Sequence, residues 1–234
     1  MPVEIYASLC VYKSTVNPIL RKVPFTYPWI LATAVGNDVK TVLDVGCGTG
    51  DLMAMISKGK NWKITGVELF DDSIKAAEAT GVYEKIIKAD ITKLPEEITQ
   101  KKYDVVFSSM AVEHIPKAEA LELIRQMESM SIKRTVVTTI VGFYGFCPLD
   151  PDGEEKNPYQ VHVSGWEPSE FRQMGYVTRG QGLALVWKED CWAYKVPRFI
   201  RPLLFGFSLL LSPLVYFAVS LGVAQIARKE KSSR

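Results

Sequence analysis

The sequence predicts a doubly wound α/β domain, and three observations carry that prediction. From Thr41 onward, short β-branched runs alternate with segments of helical apolar spacing. Those runs are short and mostly apolar, as in a parallel sheet covered on both faces. A glycine-rich turn, Gly46-Cys47-Gly48-Thr49-Gly50, directly follows the first run.

The elements follow in order. Residues 1–38 show no clear periodicity, and Pro24, Pro28 and Trp29 read as part of a partly helical N-terminal cap. Thr41–Val45 is the first strand. After the glycine turn, Leu52, Met55 and Ile56 recur at helical spacing within Asp51–Ser57. Ile64–Val67 reads as the second strand, the alanine-rich Ser73–Thr80 as a helix, and Lys85–Ala89 as the third strand. Asp104–Phe107 is the fourth strand. Leu121, Ile124 and Met127 mark a helix over Lys117–Ser131, and Thr135–Val141 is the fifth strand. Pro168–Met174 reads as a short helix and Leu183–Trp187 as a sixth strand. Strands joined through helices imply right-handed crossovers and a buried parallel sheet.

Composition bounds the function. At 234 residues the chain holds one sizeable core, and its formal net charge of +2 gives no broad basic surface for nucleic acid. The four cysteines, Cys10, Cys47, Cys147 and Cys191, are widely spaced without a CxxC pair. That argues against a zinc site or a disulfide framework, and it suits a reducing cytosol. The opening Met1-Pro2-Val3-Glu4-Ile5-Tyr6 lacks the basic start and long apolar core of a secretory signal.

In an open α/β sheet, ligands bind beyond the carboxyl ends of the strands. A glycine turn there lets the backbone approach a ligand closely. The pattern is GxGxG, with Asp51 following it, instead of the dinucleotide GxGxxG. A carboxylate at that position repels a pyrophosphate, which disfavours a nicotinamide dehydrogenase. Asp44 adds negative charge just before the turn. The loop therefore suits a ligand with a positive centre and no phosphate, and S-adenosylmethionine, with its sulfonium and amino group, fits.

Two further carboxylates fall at strand ends. Glu68 lies 18 positions beyond Gly50, where an acidic side chain can accept from both ribose hydroxyls. Alone, such a glutamate is more often a solvated charge. Asp90, in Lys88-Ala89-Asp90-Ile91, can accept from an adenine amine while Ile91 packs on the ring. Its alternative role is a helix cap, given Thr92. The fourth strand then runs into the polar break Ser108-Ser109-Met110-Ala111-Val112-Glu113-His114-Ile115.

From about Tyr27 to Trp187 the chain resembles the class I S-adenosylmethionine-dependent methyltransferases, type 11-like, through its VLDVGCGTG loop and EHI segment. The resemblance implies a Rossmann-like, seven-stranded, mostly parallel sheet of order 3-2-1-4-5-7-6 with strand seven antiparallel. It implies that Asp44, Gly46, Cys47, Gly48 and Gly50 hold the amino-acid part of the cofactor. Glu68 and Leu69 would take the ribose, Asp90 and Ile91 the adenine, and Ser108 would lie near the methionine chain. No resident metal is implied.

Methyl transfer is an in-line displacement from a reactive sulfonium, so a base is needed only where the acceptor keeps its proton. The only two histidines are the candidates. His114 sits in the EHI segment, and His162 in Asn157-Pro158-Tyr159-Gln160-Val161-His162-Val163-Ser164-Gly165-Trp166. Each has a structural alternative: His114 bonding backbone near a helix start, His162 orienting its loop.

The C-terminal region departs from an ordinary surface. From Pro202 to Ala227, 26 consecutive positions carry no charge. Pro213 interrupts a spanning helix, and both flanks are basic. Val223–Lys229 resembles the last strand of the methyltransferase sheet. The expected organisation is a single domain over 1–234 with a cap over 1–38. Between strands six and seven lies an apolar membrane-associating insertion over 198–219, two short helices bent at Pro213. Burial against the domain or a second subunit is the alternative.

The functional expectation is methyl transfer to a small or lipid-linked acceptor at the cytoplasmic membrane face, with peripheral or monotopic attachment. Oligomeric state is open. The competing class is a catalytically inactive, membrane-associated S-adenosylmethionine-binding partner or regulator.

Overall fold

A computed structural model describes residues 20–143, 157–183 and 201–231. Its strands are β1 (Thr41–Val45), β2 (Lys63–Glu68), β3 (Lys85–Lys88), β4 (Tyr103–Ser109), β5 (Ser131–Ile140), β6 (Val177–Leu183) and β7 (Gly222–Glu230). They form one sheet of order β3-β2-β1-β4-β5-β7-β6. Neighbours from β3 to β5 are parallel, while β7 runs antiparallel to both β5 and β6. The order and the reversed last strand are those expected.

The described helices are α1 (Tyr27–Val35), α2 (Asp51–Ser57), α3 (Asp71–Ala79), α4 (Glu96–Thr99), α5 (Lys117–Met130), α6 (Pro168–Gln173), α7 (Arg201–Leu210) and α8 (Ser212–Phe217). Side chains of a strand alternate between faces. Val42, Val105, Phe107 and Val136 therefore join a core with Leu31 and Ile30 of α1 and with Met53 and Ile56 of α2. Leu43, Val45, Val106 and Val137 join the opposite core with Leu123, Ile124 and Met127 of α5 and with Trp166 and Phe171. Both faces are covered, which is why the central strands read as mostly apolar runs. Of the expected cap over 1–38, residues 1–19 lie outside the described residues, and α1 falls within the remainder.

The sixth strand is a correction. It occupies Val177–Leu183, and of the expected Leu183–Trp187 all but Leu183 lies outside the described residues. With Arg179, Gly180, Gln181 and Gly182 this stretch carries no strand signal in sequence. It is a strand because β7 supplies its ladder from Val177 to Leu183. Gly180 is a packing requirement: a Cβ there would lie 2.3 Å from the Val215 carbonyl oxygen of α8.

The expected insertion between β6 and β7 is described from Arg201 onward, as α7 and α8 joined at Leu211 with Pro213 in the first turn of α8. At 1.5 Å per residue the limbs are about 15 and 9 Å long. Among the described residues, no helix is long and apolar enough to cross a membrane. Val215 and Val219 are buried, and Tyr216 stands at 5.4 Å from Phe25 and 6.0 Å from Trp29, centroid to centroid. The outer side chains are different. Leu203, Phe207, Leu209, Leu210, Leu214 and Phe217 are all exposed, Leu203 at 73% and Leu210 at 79%.

Candidate active site

The carboxyl ends of β1, β2 and β4 open into a cleft of about 560 Å³. The loop after β1 borders it. Gly46, Gly48 and Gly50 all have positive φ (72°, 55° and 75°), a region that side chains with a Cβ enter at a cost. At Gly48 a Cβ would meet nothing within 4 Å, so the loop presents bare backbone to open space there. The loop is seated by two bonds to one carbonyl, from the Gly46 and Cys47 amides to Val67 O at 2.9 and 3.0 Å.

Glu68 ties this loop to β2. Its Oε2 accepts from the Gly48 amide at 2.8 Å, and its Oε1 accepts from the Leu69 and Phe70 amides at 2.9 and 3.0 Å. It is therefore no simple solvated charge. A carboxylate has about four acceptor positions, so roughly one remains for a ligand hydroxyl beyond these three bonds.

Asp44 is almost fully buried at the end of β1, and its Oδ2 accepts from the Tyr83 hydroxyl at 2.8 Å. Burial pushes its carboxyl up to about 7, against the lowering effect of the Tyr83 bond and with the Glu68 charge adding. Burial, followed by the nearby charges of Asp44 and Glu68, also pushes the Cys47 thiol up, so it stays protonated.

Asp90 takes the capping role considered for it. Its Oδ1 caps the short 3-10 turn Ile91–Lys93, accepting from the Thr92 amide at 2.8 Å and hydroxyl at 2.7 Å. The residue also borders the cleft, as do Leu69 and Ile91.

Ser108 corrects the expectation. It is fully buried, its hydroxyl donates to Val45 O at 2.9 Å, and it does not line the cleft. Alternation along β4 puts Phe107 and Ser109 on the cleft side instead. Ser109 belongs to a hydroxyl trio that the sequence does not reveal. Tyr27 Oη lies 3.1 Å from Ser109 Oγ and 3.3 Å from Thr138 Oγ1, and the last two are 2.8 Å apart. Tyr83 is equally invisible in the sequence, since no motif surrounds it between α3 and β3.

The two histidines come from segments 48 positions apart and meet with ring centroids 4.9 Å apart. The backbone carbonyl of Glu113 accepts from the Val163 and Ser164 amides at 2.8 and 3.1 Å. Ser164 Oγ donates to Val112 O at 3.0 Å and accepts from Trp166 Nε1 at 3.2 Å. Trp166 is buried, stacked on Phe171 at 5.0 Å, with the Lys117 ammonium 3.5 Å from its ring centroid. Much of the NPYQVHVSGW stretch is thus a clamp that docks His162 beside the EHI segment.

His114 lines the cleft and its Nδ1 is 3.2 Å from Val161 O. Burial, and then the neighbouring His162, lower its pKa to about 4, so the ring is neutral at pH 7. Glu113 is fully buried, its Oε2 accepting from Thr139 Oγ1 at 3.0 Å, and burial pushes its carboxyl up to about 7.

Comparison with known proteins agrees with this architecture. Residues 42–131 match the family model described as a methyltransferase domain. The ubiquinone biosynthesis O-methyltransferase of Bordetella parapertussis is 34% identical over 108 residues, covering 44% of this chain and 44% of that protein. The enzyme of the same name from Serratia proteamaculans is 31% identical over 103 residues, covering 43% and 42%. The chain thus spans less than half the length of these curated relatives.

Two solved structures share the fold at low identity. The plantazolicin methyltransferase BpumL, in complex with SAH, aligns at TM-score 0.56 and 18% identity, covering 97% of this chain and 92% of that one. A SAM-dependent methyltransferase from Archaeoglobus fulgidus aligns at TM-score 0.55 and 16% identity, covering 97% and 99%. Residues 42–131 thus match a methyltransferase domain, and the chain, with its glycine loop after β1 and its 3-2-1-4-5-7-6 sheet, shares the fold of solved S-adenosylmethionine-dependent methyltransferases.

Proposed function

We propose that this protein transfers a methyl group from S-adenosylmethionine to a small or lipid-linked acceptor that reaches it at the cytoplasmic face of a membrane. The observation that carries the reading is the cleft itself, bordered by bare glycine backbone and by Asp44, Glu68 and Asp90. Three carboxylates, with no lysine or arginine lining the cleft among the described residues, suit a ligand with a positive centre, an amine and a diol.

In this reading Asp44 and the glycine loop hold the amino-acid part, Glu68 with Leu69 the ribose, and Asp90 with Ile91 the adenine. The cofactor supplies an electrophilic methyl group. The protein's part is to bind and orient both partners, and to accept or disperse the proton of an acceptor that carries one. His114, which lines the cleft, and His162, packed against it, are the groups proposed for that last task.

The membrane part of the proposal rests on the exposed apolar side of α7 and α8. Two short helices match insertion into one leaflet better than spanning, since roughly 20 apolar residues are needed to cross. An apolar acceptor fits that position, and the relatives named for ubiquinone biosynthesis favour a quinone precursor over a lipid-linked sugar.

Incubating lipid extracts with the protein and a labelled methyl donor tests the transfer. Appearance of label in an apolar product and release of S-adenosylhomocysteine are expected. Cofactor binding without any product would favour the inactive binding partner. Flotation with anionic vesicles tests the membrane part. Leu203→Ser with Leu210→Ser, seven positions apart on one helix, is expected to weaken partitioning at least tenfold, about 1.4 kcal/mol. Partitioning that is absent, or unchanged in the double variant, would remove the membrane from the proposal.

A further inference from the structure

We propose that Glu113, His114 and His162 form a binding site for one divalent transition-metal ion of the zinc class. A ligand atom from each of the three residues lies within 4.8 Å of the other two. Three protein ligands at about 2.0–2.2 Å from a tetrahedral zinc are about 3.4 Å apart, so rotation of the two rings has at most about 1.4 Å to close.

A second and independent observation is the unsatisfied carboxylate. Glu113 is 0% exposed, and its Oε1 is buried with no hydrogen-bond partner. Leaving a buried carboxylate oxygen unpaired is costly, and native structures rarely carry one without a reason. A cation facing it supplies the missing partner. The other oxygen is already held by the Thr139 hydroxyl at 3.0 Å, the kind of outer contact that orients a ligating carboxylate.

The histidines are prepared in the same manner. A proton on His114 Nδ1, donated to Val161 O at 3.2 Å, leaves Nε2 as the atom with the lone pair. Two rings with centroids 4.9 Å apart gain from sharing one cation and lose from each carrying a proton. The scaffold holding them is fixed from both sides, since the Val163 and Ser164 amides bond the carbonyl of Glu113 itself.

Donor chemistry selects the ion. Two imidazoles and one carboxylate suit zinc, cobalt or ferrous iron, whereas magnesium and calcium prefer all-oxygen sites. Two histidines with one glutamate, leaving a fourth position open, is also a known arrangement for catalytic zinc. His114 lines the cleft, so the open position borders the space where an acceptor enters.

Ion binding is independent of the transfer reading; only its use in transfer rests on that reading. There the ion would ligate an acceptor oxygen, favour loss of that oxygen's proton to solvent, and hold the oxygen for attack on the methyl group. The histidines would then act through the ion instead of as bases.

The test needs no cofactor or acceptor. Chelator-treated protein is titrated with Co²⁺, following visible d–d absorption, and then with Zn²⁺ in competition. One equivalent of Co²⁺ should bind with nitrogen and oxygen ligation and without thiolate charge-transfer bands, and Zn²⁺ should displace it. His162→Ala and His114→Ala should each weaken binding at least tenfold while the metal-free proteins keep the wild-type melting temperature. Zn²⁺ should raise the melting temperature of wild type and not of either variant. Because Glu113→Gln perturbs a buried group, the two histidine variants are the decisive ones. No stoichiometric binding, a thiolate spectrum, or binding as tight as wild type in both histidine variants would overturn the site.

Discussion

Asp44 gives the proposed cofactor pocket a pH dependence. With its carboxyl raised to about 7, Asp44 is largely protonated at pH 6 in the empty protein. A cationic ligand in the same cleft favours the ionised form, so binding must expel a proton below pH 7. If only the ionised form binds, the competent fraction rises from about 9% at pH 6.0 to about 76% at pH 7.5, an eightfold gain in affinity.

Isothermal titration with S-adenosylmethionine over that range, in buffers of differing ionisation enthalpy, measures both the gain and the proton released. Asp44→Asn carries whatever titration belongs to the ligand, and should bind weakly with a flatter profile. Tyr83→Phe removes the hydrogen bond that lowers the Asp44 pKa, so its midpoint should move to higher pH. The stability of the empty protein should change in the opposite sense. Its folded-state pKa lies above the unfolded value, so the Asp44 contribution is full below about pH 4 and is lost as pH rises toward 7. An affinity that stays flat in wild type, with no buffer-dependent heat, would refute the reasoning.

Other expectations concern the loop and its anchor. Gly50→Ala forces a Cβ to within 2.8 Å of the Tyr83 ring and 3.1 Å of Ala77 Cα, at φ 75°. It should cost about 2–4 kcal/mol in chemical denaturation, and should weaken cofactor binding by displacing Tyr83 from Asp44. Glu68→Gln keeps a carbonyl oxygen for the Leu69 and Phe70 amides but turns an NH₂ toward the Gly48 amide. It should reduce cofactor affinity by about ten- to a hundredfold, from one lost charge-assisted bond and a loosened loop. Ser164→Ala removes the bridge between Val112 O and Trp166 Nε1, and should destabilise the protein by about 1–3 kcal/mol.

Much of the fold is legible because the sheet is covered on both faces. Short, mostly apolar strands such as Thr41–Val45 and helices such as Lys117–Met130 announce themselves by their own patterns. The glycine loop is legible for a steric reason, since three positive-φ positions within five residues admit little but glycine. The position of β6 is not legible, because its residues are chosen by what packs on them. Gly180 exists for the backbone of α8, and the ladder comes from β7, about 45 residues away in sequence. Ser108 reads as a cofactor contact because a one-residue shift along a strand exchanges faces, and only the register with β1 and β5 fixes which face meets the cleft.

By itself the sequence determined the doubly wound architecture, the glycine loop with its acidic partners, and hence the donor side of the chemistry. Those features are local: spacing, left-handed turns and charge at strand ends are written in consecutive residues. Tertiary structure decided the pairings between distant segments. It brought His162 against His114, buried Glu113 behind them with one oxygen unpaired, put Tyr83 on Asp44, and stood the apolar faces of α7 and α8 outward. None of these pairings has a sequence period, because each joins residues whose separation is set by how the sheet and its connections pack.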